Sequence, residues 1–215
     1  MTGLRVAVLA AVAGAAGGCF DVSSNHSTPV LIDDFDSGDA LPRDRHFDQW
    51  RCGETNTNTP KSSTCDYDAA TYLSPPYSIY LKDTVVETSD QKNAGAQLYT
   101  QAVVPEDFSD MSQVVFSSKF DPGSPAIPPA AKLYVELYCS GGNVVIEYPV
   151  PNWQSSDWQM FAIPLSQFEF RYGRIPGGTT ACLESVDSIH FSVNAGLPNG
   201  ETGIFGLHLD EVYFR

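Results

Sequence analysis

The sequence predicts an all-β protein, a two-sheet antiparallel β-sandwich, on three observations. Beyond Val30, apolar residues recur mostly at every second position in short runs, which is the pattern of half-buried strands. Clusters of Gly, Pro, Asn or Asp bound these runs, and the chain holds 17 Gly and 15 Pro, a composition that disfavours long helices. No segment of helical periodicity lies between the runs, as a parallel sheet would require.

Nine strands are predicted, and the segments 51–66, 121–129 and 171–180 between them are rich in turn formers and are expected to be loops. No internal repeat or dividing linker interrupts them, so residues 30–215 are interpreted as one domain. The predicted strands cover 30–35, 77–83, 96–103, 112–120, 132–139, 143–150, 158–164, 188–194 and 206–214.

Composition excludes some classes of function. The chain of 215 residues has 12 basic and 26 acidic side chains and a net charge of −14, which argues against nucleic acid as a partner. At 42% hydrophobic residues, it has enough apolar material for a full core and is unlike a disordered acidic tail.

The N-terminus is typical of an export signal. One cation, Arg5, precedes an apolar stretch over 6–16, which is too short to span a bilayer. The small residues that follow, ending at Cys19, resemble the lipobox of bacterial lipoproteins. The resemblance implies cleavage after 18, a lipid on Cys19 and a polar tether over 19–29, which places the protein in the bacterial cell envelope, anchored to the membrane by lipid alone. Ala16 stands where lipoboxes usually have Leu, so a plain secretory signal is the alternative.

The cysteine count fits an exported chain. Five cysteines less Cys19 leave four, an even number, which suits disulfides outside the reducing cytosol. Three pairings are possible. The economical one joins Cys52 to Cys65 and Cys139 to Cys182. Zinc is disfavoured because there is no CxxC pair.

Three segments carry a resemblance to a known family. They are LIDDFD at 31–36, WQMFAIPL at 158–165 and LDEVYF at 209–214. In this order they resemble the jelly-roll carbohydrate-binding modules of the galactose-binding-like superfamily. The resemblance implies a sandwich with adjacent terminal strands, a structural calcium in many members, and glycan binding on one sheet or at a loop rim. Because fold does not dictate function, it does not imply binding in every member.

Enzyme signatures are mostly absent. There is no GxSxG, Walker or HExxH motif, and the SxxK at 89–92 lacks its partner motifs. Paired carboxylates could serve a glycosidase, although 26 acids bring many pairs together by accident. The histidines lack metal-ligand spacing; they are His26, His46, His190 and His208.

One carboxylate pair follows from strand register. The segment SGGN at 140–143 predicts a tight hairpin turn, which places Glu136 directly opposite Glu147 on the polar face. Like charges so placed destabilise a sheet. A cation such as Lys119 or Arg171, a raised carboxyl pKa, or a bridging ligand is expected to compensate. Because Glu136→Gln removes a like charge from the pair, the free protein is expected to be as stable as before or slightly more so.

Aromatic residues flank this pair. Tyr134 and Tyr138 share the face with Glu136, and sugars are held by aromatic faces and by carboxylates on their hydroxyl pairs. His190, Ser192 and Asn194 alternate with apolar residues and lie on a polar face, either a solvated surface or part of the same site. The predicted ligand-binding residues are Tyr134, Glu136, Tyr138, Glu147, Trp153 and His190.

Two tryptophans, Trp50 and Trp153, lie in loop-like sequence. Such a ring is either tucked beneath the surface or offered to a ligand, and Trp153 is included in the predicted site. Trp158 is expected to pack at the start of its strand.

Acidic residues concentrate at the end of the first predicted strand: Asp33, Asp34, Asp36 and Asp39. If the terminal strands are neighbours, Asp210 approaches Asp34 and Asp36, and such a cluster suits calcium, which prefers oxygen ligands. A solvated acidic loop is the competing interpretation.

The leading hypothesis is an exported lipoprotein whose sandwich domain binds a polysaccharide or another glycan without turning it over. The alternatives are a jelly-roll enzyme, a glycosidase or lyase with Glu136 and Glu147 as its acid and base, and a structural or adhesive lipoprotein.

Overall fold

The structure, a computed structural model, describes residues 28–38, 47–54, 63–87, 95–197 and 201–215. Within them the chain forms two antiparallel sheets with an apolar core between, which confirms the predicted sandwich. A short helix α1 (Gly178–Leu183) lies before the penultimate strand. The strands are β1 (Val30–Asp33), β2 (Arg51–Glu54), β3 (Thr64–Asp68), β4 (Ser78–Glu87), β5 (Gly95–Glu106), β6 (Gln113–Pro122), β7 (Lys132–Cys139), β8 (Val144–Val150), β9 (Gln159–Pro164), β10 (Glu169–Tyr172), β11 (Val186–Asn194) and β12 (Thr202–Phe214).

The first sheet has the order β3-β4-β12-β6-β9, with β1 also paired to β12, and the second has the order β10-β8-β7-β11-β5-β2. Pairing of Leu31 with Tyr213 makes the terminal strands neighbours, as the resemblance implied. Each sheet therefore combines strands from distant parts of the chain, and side chains far apart in sequence meet on its outer face.

Two segments expected to be loops contain regular structure. The segment 51–66 includes β2 and most of β3, and 171–180 includes the end of β10 and the start of α1. These predictions were wrong because the missed strands lie at sheet edges. They bury little and so lack a clear apolar alternation; their pairing with β5, β4 and β8 is a tertiary property.

Aromatic pairs hold the core together. Phe108 stacks on Phe214 with ring centroids 4.0 Å apart, and Phe116 of the first sheet meets Phe191 of the second edge-on at 4.8 Å. Such pairs add about 0.5–1.5 kcal/mol each beyond the area they bury. The two sheets thus pack face to face, and their outer faces carry the polar side chains.

Both disulfides form in the economical pairing, which confirms that prediction. Cys52 of β2 bonds Cys65 of β3 with Cα atoms 5.7 Å apart, and this bond joins the edges of the two sheets. Cys139 at the end of β7 bonds Cys182 of α1 with Cα atoms 5.4 Å apart. Across the described residues, no helix has the length and apolar content that crossing a bilayer requires.

Candidate functional site

A row of side-chain positions crosses all six strands of the second sheet. Neighbours in this row are directly paired residues of adjacent strands, and the row lies on the sheet face turned away from the core. From one edge to the other it reads Arg51, Tyr99, His190, Glu136, Glu147 and Glu169. We call this surface the polar face.

The predicted pairing of Glu136 with Glu147 is confirmed. The turn at 140–143 leaves Cys139 opposite Val144 and sets the register of the whole hairpin. Ser140, Gly141 and Gly142 take positive φ values of 56°, 66° and 77°, and glycine adopts this conformation without steric cost. The Asp187 carboxylate accepts hydrogen bonds from the backbone N–H groups of Gly141 and Gly142 and fixes the turn.

Arg171 compensates the two like charges. Its guanidinium donates a hydrogen bond to Oε1 of Glu136, and its Nε lies 3.5 Å from Oε2 of Glu147. Lys119, the other cation considered, lies on the first sheet, 3.6 Å from Asp121. A single cation from the edge strand β10 thus bridges carboxylates on β7 and β8.

Glu136 is surrounded by hydrogen-bond donors and is 1% exposed. Besides Arg171, its Oε2 accepts from Ser192 Oγ at 3.0 Å and from Tyr138 Oη at 3.2 Å. These donors favour an ionised carboxylate, because each bond is strengthened by the negative charge. Such an environment suits a fixed acceptor better than a group that must give up a proton.

The second carboxylate differs in its protonation behaviour. Burial raises the pKa of Glu147, and the positive charge of Lys132 partly offsets this effect. Burial and the charge of Glu147 raise the pKa of the Tyr138 hydroxyl as well. Glu147 is therefore protonated more readily than an ordinary glutamate.

His190 lies between two tyrosine rings. Its imidazole stacks on Tyr138 at 4.1 Å and on Tyr99 at 4.9 Å between centroids. Nδ1 lies 3.1 Å from the side-chain oxygen of Gln97, and Nε2 lies 2.9 Å from Ser188 Oγ. Burial, and then the charge of Arg171, lower the pKa of His190 from 6.5 to about 3. The neutral tautomer with the proton on Nδ1 satisfies both contacts, since Ser188 can donate to Nε2.

The other predicted face residues share this surface. Ser192 pairs with Tyr134 of β7 on one side and with Gln97 of β5 on the other, and Asn194 pairs with Lys132. Tyr134 is half-buried. The structure therefore brings five of the six predicted ligand-binding residues onto one face.

Trp153, the sixth, does not lie on this face, and its part in ligand binding stays a prediction. It is 4% exposed, its indole N–H donates to the carbonyl of Ala131 at 3.1 Å, and its ring meets Phe120 edge-on. Trp50 is likewise buried and donates to the Asp33 carboxylate at 3.0 Å. Both rings are tucked into the core, where a backbone or carboxylate oxygen satisfies the indole N–H, so neither lies on the polar face.

Sequence reasoning missed several members of the face, among them Gln97, Tyr99 and Tyr172. Gln97 and Tyr99 lie in a strand that was predicted, and their alternation with buried Ala96 and Leu98 was the available signal. Tyr172, 59% exposed at the end of β10, lay in a segment interpreted as a loop. It pairs with Val145 beside Tyr138 and extends the aromatic surface to the sheet edge.

The predicted metal residues belong to or adjoin the paired strands β1 and β12. Burial, followed by the charges of Asp210, Asp34 and Asp36, raises the pKa of Glu211. Asp210 is buried and accepts hydrogen bonds from the backbone N–H groups of Leu73 and Ser74. Within the described residues no group of three or more His, Cys, Asp or Glu is arranged to hold a metal ion. Calcium at this edge therefore stays a prediction.

The lipidation site, Cys19, and the tether residues up to 27 lie outside the described residues. The predictions made for them remain predictions.

Comparison with known proteins identifies the fold. No protein-family model matches the chain, and no curated protein matches it. Among solved structures it is similar to the family 11 carbohydrate-binding module of a cellulosomal cellulase of Clostridium thermocellum, with 16% identity, a TM-score of 0.54, and coverage of 88% of this chain and 95% of that one.

A family 11 module of the same organism, in complex with a beta-1,3-1,4-mixed-linked tetrasaccharide, matches with 15% identity and a TM-score of 0.56 over 86% of this chain and 94% of that one. A module specific for non-crystalline cellulose, CBM28, matches with 12% identity and a TM-score of 0.50 over 88% and 96%. The chain thus has the jelly-roll β-sandwich fold of carbohydrate-binding modules.

Proposed function

We propose that the polar face binds a glycan, and that the chain is the binding module of an exported, lipid-anchored protein that does not turn its ligand over. The observation that carries the proposal is the stack of Tyr99, His190 and Tyr138 beside two carboxylates bridged by Arg171. Aromatic rings and charged hydrogen-bonding groups thus lie side by side on one open sheet surface.

The chemistry of this surface matches that of a sugar ring. The C–H surface of a sugar is apolar and packs on aromatic faces, while its rim of hydroxyls both donates and accepts hydrogen bonds. Tyr138 and Tyr134 supply half-buried rings. Arg171, 45% exposed, supplies donors, and Glu147, 23% exposed, supplies acceptors. Hydrogen bonds to such charged groups contribute about 1.5–3 kcal/mol each.

Absence of turnover is proposed from the burial of Glu136. A glycosidase needs two carboxyl groups that both reach the glycosidic bond. Glu136 is 1% exposed and its oxygens accept hydrogen bonds from Arg171, Ser192 and Tyr138, so only Glu147 of the pair is open to a ligand. Binding without reaction is what this arrangement supports.

Export is proposed from the N-terminal sequence and the disulfides. The signal over 1–18 would direct the chain out of the cytosol, and two disulfides persist in oxidising compartments. Lipid on Cys19 is tested by expressing Cys19→Ser in a bacterial host. The parent chain should fractionate with membranes and carry an acyl mass increment, and the variant should lose both. A parent chain that is soluble and begins elsewhere would contradict lipid anchoring.

Glycan binding is tested by titrating the chain with a panel that begins with the mixed-linked tetrasaccharide bound by the similar module and with non-crystalline cellulose. Tyr138→Ala removes a ring from the polar face and should weaken binding about tenfold or more, since an aromatic contact and a charged hydrogen-bond network are both disturbed. Tyr72→Ala is the matched control, because Tyr72 is an exposed tyrosine outside this face.

The same panel separates the alternatives. New reducing ends or unsaturated products would show an enzyme. Binding that is equally strong in Tyr138→Ala would move the site away from the polar face. A chain that retains no glycan and instead captures a protein would support the adhesive hypothesis.

A further inference from the structure

A pocket of about 640 Å³ opens at the end of the second sheet where β7 begins and β8 ends. Its walls come from the start of β7, the residues before it, and the turn after β8 that includes Asn152 and Trp153. This volume lies in the range of small-molecule sites. No residue of the pocket takes part in the row that defines the polar face.

The charge of the pocket differs from that of the chain. The described residues that line it include one cation, Lys132, and no Asp or Glu, although the chain has 26 acidic and 12 basic residues. Lys132 is exposed and makes no ion pair with any residue the structure describes. A positive charge is therefore available in a concave site whose own lining holds no carboxylate.

The walls are held by hydrogen bonds that leave two donors for a ligand. The indole N–H of Trp153 donates to Ala131, and the side-chain amide of Gln154 donates to Pro128. Asn152 sits at a turn with φ of 54°, and its side chain has no hydrogen bond to the described part of the chain. Lys132 and Asn152 thus remain to bind a polar group in a rigid setting.

The pocket continues the polar face. Lys132, Tyr134 and Glu136 alternate along β7 and lie on the same side of the sheet. Four residues of strand at about 3.3 Å each separate Lys132 from Glu136 by roughly 13 Å. The charge of Lys132 also acts on Glu147, where it partly offsets the rise in pKa that burial causes.

We propose that this pocket, the Lys132 pocket, binds an anionic group on a sugar residue, either the carboxylate of a uronic acid or a sulfate ester. The proposal deepens the glycan binding proposed above and rests on it for the class of ligand. A glycan with a negative charge on every sugar residue is disfavoured as the ligand, because it would be repelled by the protein. The polar face holds Glu136, Glu147 and Glu169, and the net charge of the protein is −14. The expected ligand is a largely neutral glycan with an acidic residue that enters the pocket.

The test is an NMR titration of the full chain with glucuronate, glucose 6-sulfate, glucose and acetate at equal ionic strength. At least one of the two acidic sugars should shift the amide signals of Lys132 and Asn152, with a Kd about threefold to fivefold lower than that of glucose, the gain that one exposed ion pair supplies. Whichever acidic sugar binds more tightly identifies the anion. Lys132→Gln should abolish the difference and Lys132→Arg should keep it. Lys82→Gln, which removes an exposed lysine of β4 on the other sheet, is the control.

Equal affinities for glucose and for both acidic sugars, or no loss in Lys132→Gln, would overturn the proposal. So would acetate shifting the same signals with the same affinity, since the sugar would then contribute nothing. These outcomes leave glycan binding at the polar face untouched, because that is measured separately with Tyr138→Ala. Conversely, if Tyr138→Ala leaves glycan affinity unchanged, glycan binding at the polar face is contradicted. The NMR shifts of Lys132 with acidic sugars are a separate measurement and can still be observed.

Discussion

Glu136 of β7 lies directly opposite Glu147 of β8, and one guanidinium contacts both carboxylates. The pair would repel if left alone. Arg171 converts it into a charged network that is fixed at the centre of a sheet and reaches solvent at its edge, with Glu136 buried and Arg171 45% exposed. Arg171 and the 23% exposed Glu147 thus place a donor next to an acceptor at the surface, an arrangement that can hold two adjacent hydroxyls of a ligand.

Glu136→Gln should destabilise the free protein by about 1.5–3 kcal/mol, because a buried carboxylate loses charge-assisted bonds from three donors. The expectation from sequence had the opposite sign and was wrong on this structure, because it counted the repulsion between Glu136 and Glu147 but not the hydrogen bonds from Arg171, Ser192 and Tyr138. Glu147→Gln is the matched variant and should change stability by no more than about 0.5 kcal/mol, since its ion pair is long and partly exposed. Urea unfolding of both variants measures the difference. Equal effects would show that Arg171 does not discriminate between the carboxylates.

Stability should fall with acidity because of His190. Its pKa in the folded state is about 3 against an ordinary value of 6.5, so the unfolded chain takes up this proton first. The contribution is fully present above about pH 6.5 and is lost as the pH falls toward 3, by at most about 1.4 kcal/mol per pH unit. His190→Gln should show a shallower decline than the parent in unfolding measured from about pH 7 to about pH 4. If the stability of parent and variant declined in parallel, His190 would be protonated as readily in the folded protein as in the unfolded chain.

The two disulfides should differ in their contribution to stability. The Cys139–Cys182 bond closes a sequence separation of 43 residues and the Cys52–Cys65 bond one of 13, for which chain entropy predicts about 4 and about 3 kcal/mol. Paired Cys→Ala variants of each should therefore lower the unfolding free energy in that order. The buried position of Cys139 and Cys182 adds a packing loss when that bond is removed.

The intact mass of the unreduced chain should lie about four hydrogens below that of the reduced chain, because each disulfide removes two. Free thiols at all four positions would contradict both bonds.

Calcium is expected to stabilise the fold through the edge that holds Asp34, Asp36 and Asp210. A ligand that binds only the folded state at a hundredfold excess over its Kd stabilises it by about 2.7 kcal/mol. Melting of the parent should thus occur at a higher temperature with calcium than with chelator. Asp34→Asn should lose this difference, and Asp66→Asn, an exposed carboxylate on β3, should keep it. Identical melts of the parent with calcium and with chelator would leave only an acidic surface at this edge.

Several features of the molecule were accessible from local sequence. Alternating apolar residues located the long strands, and the turn at 140–143 set the pairing of Glu136 with Glu147. A hairpin is a local structure, so its register follows from a few consecutive residues and their permitted backbone conformations. The placement of His190 and Ser192 on a polar face followed from alternation in the same way.

Other features depended on which strands become neighbours. Arg171 reaches Glu136 across 35 residues of sequence, Tyr99 meets His190 because β5 pairs with β11, and Asp210 binds the distant backbone of Leu73 and Ser74. The burial of Trp153 likewise required the carbonyl of Ala131 to lie within reach of its indole. Periodicity encodes which side of a strand a residue occupies, whereas strand order and the packing of loops result from the burial of the whole apolar core, and they alone decided which polar groups meet.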